Sequence, residues 1–176
     1  RLIQGECKKV NDGELRIIIS LVSDTGMRLS EAIGLAVDDL RIKNEEIPYV
    51  IVQNHPWRRL KTKGSERKIP LVGASLWAAK ALQGSSSRFA FPRYVKDGHC
   101  YTNSASAALN KWLRPRVPMN CSMHSFRHSI RDRLRAVGCP SEVIDQIGGW
   151  SSISVGQKYG EGFSISHLMN WIKKIV

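Results

Sequence analysis

Acidic residues are scarce in this chain. Against 27 Lys and Arg stand 15 Asp and Glu in 176 residues, a formal net charge of +12. Such a field favours a polyanionic partner, either nucleic acid or an anionic membrane surface. Long apolar runs are missing too: no stretch approaches the roughly 18 residues that a membrane span needs. An anionic-membrane protein would carry one continuous basic amphipathic helix. Here the basic residues are spread over a hairpin and two helices, so no membrane partner is expected. Cysteines are few, and none forms a C-x-x-C pair: Cys7, Cys100, Cys121 and Cys139 lie far apart and read as free cytosolic thiols. Internal repeats and low-complexity segments are absent, as are a signal peptide and an initiator Met at Arg1, so the chain reads as a piece of a longer protein.

What is present is the composition of a folded domain. The hydrophobic share is 42% with five tryptophans, and the length suits one domain spanning 1–176. Apolar Leu15, Ile18, Ile19 and Val22 recur at helical spacing, giving a helix from Glu14 to Asp24 with Asp12 as a candidate cap and Thr25-Gly26 as its stop. Ser30 is placed to cap a second helix that ends at Asp38-Asp39, which leaves Arg28 at a sharp junction between the two. Residues 47–53 read as a strand by β-branched and aromatic content, and the segment from Arg67 reads as another, joined by a basic hairpin tip around KTKGSE. A helix follows from Gly73 toward Gly84, then an irregular stretch from Phe89 to Cys100. Further helices are expected from Thr102 or Ser104 to about Leu113, from His124 to Val137, and from Ser141 to Ile147. A helical turn is expected from Ser154 to Tyr159, and a C-terminal helix carries an apolar stripe of Ile165, Leu168, Met169, Ile172 and Val176. The fold class is therefore mainly α with a small antiparallel β-sheet.

Several residues carry chemistry, each with a plainer reading beside it. Arg28 at a junction is most simply a solvated charge or one half of an ion pair, and Glu31, three residues on, could fix its rotamer. The segment from Arg58 to Lys68 is either a charged edge that discourages strand pairing or a tip that reaches a phosphate backbone. In the second reading Arg58, Arg59, Lys63 and Arg67 bind DNA. His124 and Arg127 share a helix face near its N-terminus, where the helix dipole adds to their charge. His128 is read as packed on the other side. Trp150 is most simply core, with an indole N–H to offer. Tyr159 could attack phosphorus at neutral pH only with a base nearby and cations to stabilise its phenolate.

Taken in order, these stretches resemble a known family. Thr25-Gly26-Met27-Arg28-Leu29-Ser30-Glu31, Lys61-Thr62-Lys63 before Ile69-Pro70-Leu71, His124-Ser125-Phe126-Arg127-His128, and Gly149-Trp150 with Tyr159 look like the motif set of the tyrosine recombinases, or phage integrases. The resemblance implies the DNA breaking-rejoining catalytic fold and a site-specific recombinase or integrase. Such an enzyme cuts and rejoins double-stranded DNA through a 3′-phosphotyrosyl link, integrating or excising a phage or mobile element. It implies Tyr159 as nucleophile, Arg28 and Arg127 as clamps on the scissile phosphate, and His124 as an aid to the tyrosine proton. Lys61 would be the general acid, in preference to Lys63, and Trp150 stands where most members have histidine. It implies neither metal nor other cofactor, a homotetramer on DNA and a monomer without it, and a cytoplasmic, nucleoid-associated place in a bacterial cell. It further implies that the C-terminal helix, about residues 164–176, docks on a neighbouring protomer, and that a separate N-terminal core-binding domain is absent from this chain. Two other readings share the residues: a type IB topoisomerase, and a DNA-binding module that keeps the fold without catalysis.

Overall fold

The computed structural model describes residues 2–8, 13–62, 65–150 and 162–176. Asp12, Lys63, the segment from Ser154 to Tyr159, and with it the nucleophile, lie outside the described residues. In chain order the elements are α1 (Leu2–Lys8), α2 (Glu14–Thr25), α3 (Leu29–Ile33), β1 (Leu40–Arg41), β2 (Tyr49–Val52), β3 (Arg67–Pro70), α4 (Gly73–Leu82), β4 (Val95–Lys96), β5 (His99–Cys100), α5 (Thr102–Leu113), α6 (Met123–Ala136), α7 (Ser141–Gly148) and α8 (Ile165–Ile172). Helices dominate, with a three-stranded antiparallel sheet in the order β1-β2-β3 and a separate two-stranded hairpin of β4 and β5, so the expected class holds.

Helix α2 is the central post. Every residue from Ile18 to Thr25 is buried, because α1, α4, α5 and α6 all pack around it. It ends where the sequence indicated: Gly26 adopts φ 64 as a left-handed cap, and its N–H donates to the Val22 carbonyl. A Cβ at this position would also stand 2.5 Å from Cγ2 of Ile130 on α6. Glycine at position 26 therefore permits both the turn and the close approach of α6.

The polar cross-tie of this core is Asp24, which is 1% exposed. It accepts from Gln4 on α1 at 2.6 Å, from the Ala74 N–H at the start of α4 at 2.8 Å, and from Arg133 on α6 at 3.1 Å. One carboxylate thus answers donors from three helices.

Several expectations need correcting. Ser30 does not cap α3: Arg28 is its N-cap residue, and the Glu31 carboxylate accepts from the Arg28 backbone N–H at 2.9 Å. The helix also stops early, at Ile33, and Val37–Asp39 forms a separate 3-10 turn. Neither Thr102 nor Ser104 caps α5, whose N-cap residue is Tyr101. The stretch from Phe89 to Cys100 is not irregular throughout. Asp97 and Gly98 both take positive φ, 49 and 71, and close the two-residue turn that pairs Val95 with Cys100. In the C-terminal helix Leu168 and Ile172, with Ile175 beyond, are buried in the main core, against β3 and α6, while Ile165 and Met169 are half-buried and Val176 is exposed. None of the four cysteines is paired with another, and among the described residues no helix is long and apolar enough to cross a membrane.

Candidate active site

Helix α6 supplies the first half of the site. Ser122 caps it, accepting from the His124 N–H at 3.3 Å. Its buried stripe is Met123, Arg127, Ile130 and Leu134, which puts a guanidinium where an aliphatic side chain would normally lie. Arg127 is 4% exposed. Its Nη1 donates to the Gly26 carbonyl at 2.6 Å, and its guanidinium lies 4.3 Å from the centroid of the Trp150 ring. Nη2 has no hydrogen-bond partner among the described residues. Burial, then the cations Arg28 and Arg67, pull its pKa down to about 10, with Glu31 acting in the opposite sense. At neutral pH it is still a cation, one with little to neutralise it.

His124, one turn earlier, is exposed. Loss of water, then the neighbours His128, Arg127 and Arg28, hold its pKa below the usual 6.5, so the ring is neutral at pH 7 and able to accept a proton. His128 does not pack on the other side of the helix as expected. Four residues on, it shares the face of His124, and the two rings meet edge to face at 4.8 Å.

Arg28 enters from the α2–α3 junction and is held differently. Its Nη1 donates to Glu31 Oε1 at 2.7 Å and to Ser65 Oγ at 3.3 Å, while Nη2 donates to the Gly149 carbonyl at 3.2 Å. The expected pairing with Glu31 is present, but Glu31 serves two arginines: Arg67 Nη2 reaches its Oε2 at 2.9 Å. Burial alone would raise the Glu31 carboxyl. The charge and hydrogen bond of Arg67, followed by the bonds from Arg28, outweigh it and hold the pKa below the usual value.

Arg28, His124 and Arg127 line one cavity of about 230 Å³, together with Met27, Leu29, Ser122 and Met123. Thr102, Asn103, Ser106 and Asn110 of α5 form its opposite wall. The sequence reading missed that wall. Its signal was the recurrence of small polar residues at i, i+4 and i+8 along α5, with no acid among them. Lys61 is exposed at the head of the β2–β3 connection. The connection is tied to the site one residue later: Thr62 Oγ1 and Ser65 Oγ are 2.8 Å apart, and Ser65 accepts from Arg28. Trp150 meets the site through its ring face, against Arg127 and, at 5.1 Å, Arg131.

Of the residues read as binding DNA, Arg59 is exposed and Lys63 lies outside the described residues. Arg58 and Arg67 are not on a tip at all, being 4% and 9% exposed. Arg58 closes a tight turn with His55 and lies against Gly34, where a Cβ would come within 2.7 Å of its Cγ. Burial lowers its pKa, against the pull of Asp39 and Glu31. Arg67 lies on β3 with the same strand parity as Ile69, so its side chain points into the core while Lys68 faces out.

A cavity walled in part by two guanidiniums and a neutral imidazole, on a helical scaffold with a small sheet, suits an oxyanion. The sequence profile of the phage integrase family matches residues 1–162, and the chain belongs to that family. It is similar to the tyrosine recombinase XerD of Corynebacterium glutamicum, 32% identical over 154 residues that cover 82% of this chain and 47% of that protein. The XerD of Rhizobium meliloti is 29% identical, over 89% of this chain and 51% of its own length. The chain thus spans about half the length of these relatives. Among solved structures, the integrase of transposon Tn1549 in complex with a circular intermediate DNA superposes with a TM-score of 0.65 at 19% identity, covering 99% of this chain and 63% of that one. The XerH recombinase bound to its difH substrate gives 0.59 at 15% identity, covering 88% and 45%. These likenesses establish the fold, the tyrosine recombinase catalytic domain.

Proposed function

We propose that this chain is the catalytic part of a site-specific recombinase that cuts and rejoins double-stranded DNA, moving a phage or mobile element. The observation that carries this reading is the convergence of Arg28 and Arg127, distant along the chain, with His124 on one cavity. In the reaction the phenolic oxygen of Tyr159 attacks the scissile phosphorus. The new Tyr–P bond forms as the P–O5′ bond breaks, which conserves the phosphodiester and leaves a free 5′-hydroxyl. Arg28 and Arg127 hold the non-bridging oxygens, where charge grows in the transition state. His124, neutral at pH 7, takes the phenol proton. Lys61 gives a proton to the departing O5′, and Trp150 keeps Arg127 in place from behind. The protein works as a tetramer on two duplexes and as a monomer without DNA, in the cytoplasm of a bacterial cell. Similarity to recombinases and integrases, two of them solved with DNA, supports this reading.

The test is covalent capture on a pool of nicked duplexes, scored by protein–DNA adducts that survive denaturant. The wild-type protein is expected to form them. Tyr159→Phe is expected to form none while binding DNA as the wild type does. An adduct that persists in Tyr159→Phe rules out the assignment of the nucleophile. Site-independent relaxation of plasmid by the wild type would make it a topoisomerase instead.

A further inference from the structure

Arg67 sits where three pieces of the site meet. Its guanidinium side chain is 4% exposed. Nε donates to the Ile147 carbonyl at the end of α7 at 2.9 Å, and Nη1 to the Ser65 carbonyl at 2.7 Å. Nη2 and Nη1 face Glu31 at 2.9 and 3.4 Å. Gly149, the left-handed residue that turns the chain into Trp150, lies directly against it: a Cβ there would stand 2.6 Å from Nη1. Arg28 reaches the same Glu31, Ser65 and Gly149 from the cavity side.

Resting on the reading of the site as a phosphoryl-transfer centre, we propose that Arg67 is a positioning residue for Arg28. It fixes Glu31, the β2–β3 connection and the Gly149–Trp150 turn in one arrangement, and it shares the Glu31 charge so that Arg28 remains free to meet the phosphate. Each Glu31 oxygen takes one bond from Arg28 and one from Arg67. Without Arg67, the carboxylate belongs to Arg28 alone and cancels the charge that the phosphate needs. Lysine cannot replace it, because an ammonium cannot face a carboxylate and two carbonyls in the fixed directions of a guanidinium fork.

The experiment uses the full-length protein and a duplex whose cleavage site has been recovered by covalent capture. A second version of that duplex carries a methylphosphonate at the scissile position, which removes the negative charge that Arg28 answers. Single-turnover rate constants of adduct formation are measured for wild type and Arg67→Lys, since a rate constant does not depend on the folded fraction. On the natural phosphate Arg67→Lys is expected to be slower by about 100-fold. On the neutral methylphosphonate the gap is expected to shrink to about threefold, because the charge on Arg28 no longer decides the rate. Gly149→Ala, which presses on Arg67 from the other side, is the second variant and is expected to show the same dependence on phosphate charge. An equal deficit on both substrates, in whichever variant folds, overturns the positioning role and leaves Arg67 a structural residue. A wild-type protein that forms no adduct at all sinks the recombinase reading, and this inference with it.

Discussion

The two guanidiniums that line the cavity are held in opposite ways. Arg28 is wrapped in acceptors: a carboxylate, a hydroxyl and a carbonyl. Arg127 has one carbonyl, the face of a tryptophan and the company of other cations. In the proposed reaction the difference sets their roles. Arg28 has its direction fixed and part of its charge answered before any ligand arrives. Arg127 carries its charge unanswered in a buried place, so an arriving oxyanion gains most there. The fold carries the cost of that until the ligand comes. The fall in the Arg127 pKa to about 10 corresponds to a destabilisation on the order of a few kcal/mol. For a cation with a lowered folded pKa, that cost is full at neutral pH and fades only as pH rises past about 10.

The comparison breaks most visibly at Arg127. Arg127→Met keeps a long side chain and removes the charge. Adduct formation is expected to fall by about 1,000-fold or more, while thermal stability holds or rises because like-charge repulsion and desolvation go with the charge. A clear drop in melting temperature would show that Arg127 is a structural cation like its partner. Glu31→Gln is expected to do the reverse to stability. It leaves Arg28 and Arg67 without their shared anion and costs about 3 kcal/mol, seen as a lower denaturation midpoint at pH 7. Because the Glu31 pKa is lowered in the fold, its contribution is full above the ordinary 4.5 and is lost as pH falls through the folded value. The gap between Glu31→Gln and wild type should therefore close in acid. A gap that stays constant into acid would mean the carboxylate charge is not what holds the two arginines.

A smaller effect is expected at the hinge between the halves, where Gly26 offers Arg127 its carbonyl and turns the chain toward Arg28. Gly26→Ala places a Cβ against Ile130 in a left-handed backbone, and about 1–2 kcal/mol of stability should be lost. A neutral result would place the strain elsewhere.

Most of the scaffold was legible because helical periodicity and stop signals are local. Leu15, Ile18, Ile19 and Val22 declare α2, and Gly26 ends it, whatever surrounds them. Arg28 and the His124–Arg127 pair could be picked out by spacing and motif. What escaped was burial of charge. Arg58 and Arg67 look like surface because arginine usually is, and only the chain folding over them decides otherwise. Even so, strand parity with Ile69 pointed Arg67 inward, helix spacing put His128 beside His124, and Asp97-Gly98 signalled a hairpin. The α5 wall left a signal in the spacing of Thr102, Ser106 and Asn110, but nothing local says which helix lies across from α6.

The finest probe of the comparison is proton chemistry on the Arg127 side. The pKa of His124 is held below 6.5 first by loss of water, next by His128, then by Arg127 and Arg28. If the neutral ring takes the phenol proton, kcat/KM for adduct formation should fall on the acid side with a midpoint below 6.5, since this quantity reports the free enzyme. As at Arg127, charging His124 costs the fold: the cost is absent above 6.5, where the ring is neutral in both states, and grows as pH falls through the folded value. His128→Gln removes one of the two imidazoles and leaves the arginines in place. The acid limb should then move up in pH, yet stay below 6.5, because loss of water and the two guanidiniums still disfavour the imidazolium. A limb that does not move would mean the lowering rests on loss of water and the arginines alone. A limb that moves down would mean the edge-to-face contact had been favouring the imidazolium, and the cationic character assigned to this half of the cavity would be wrong.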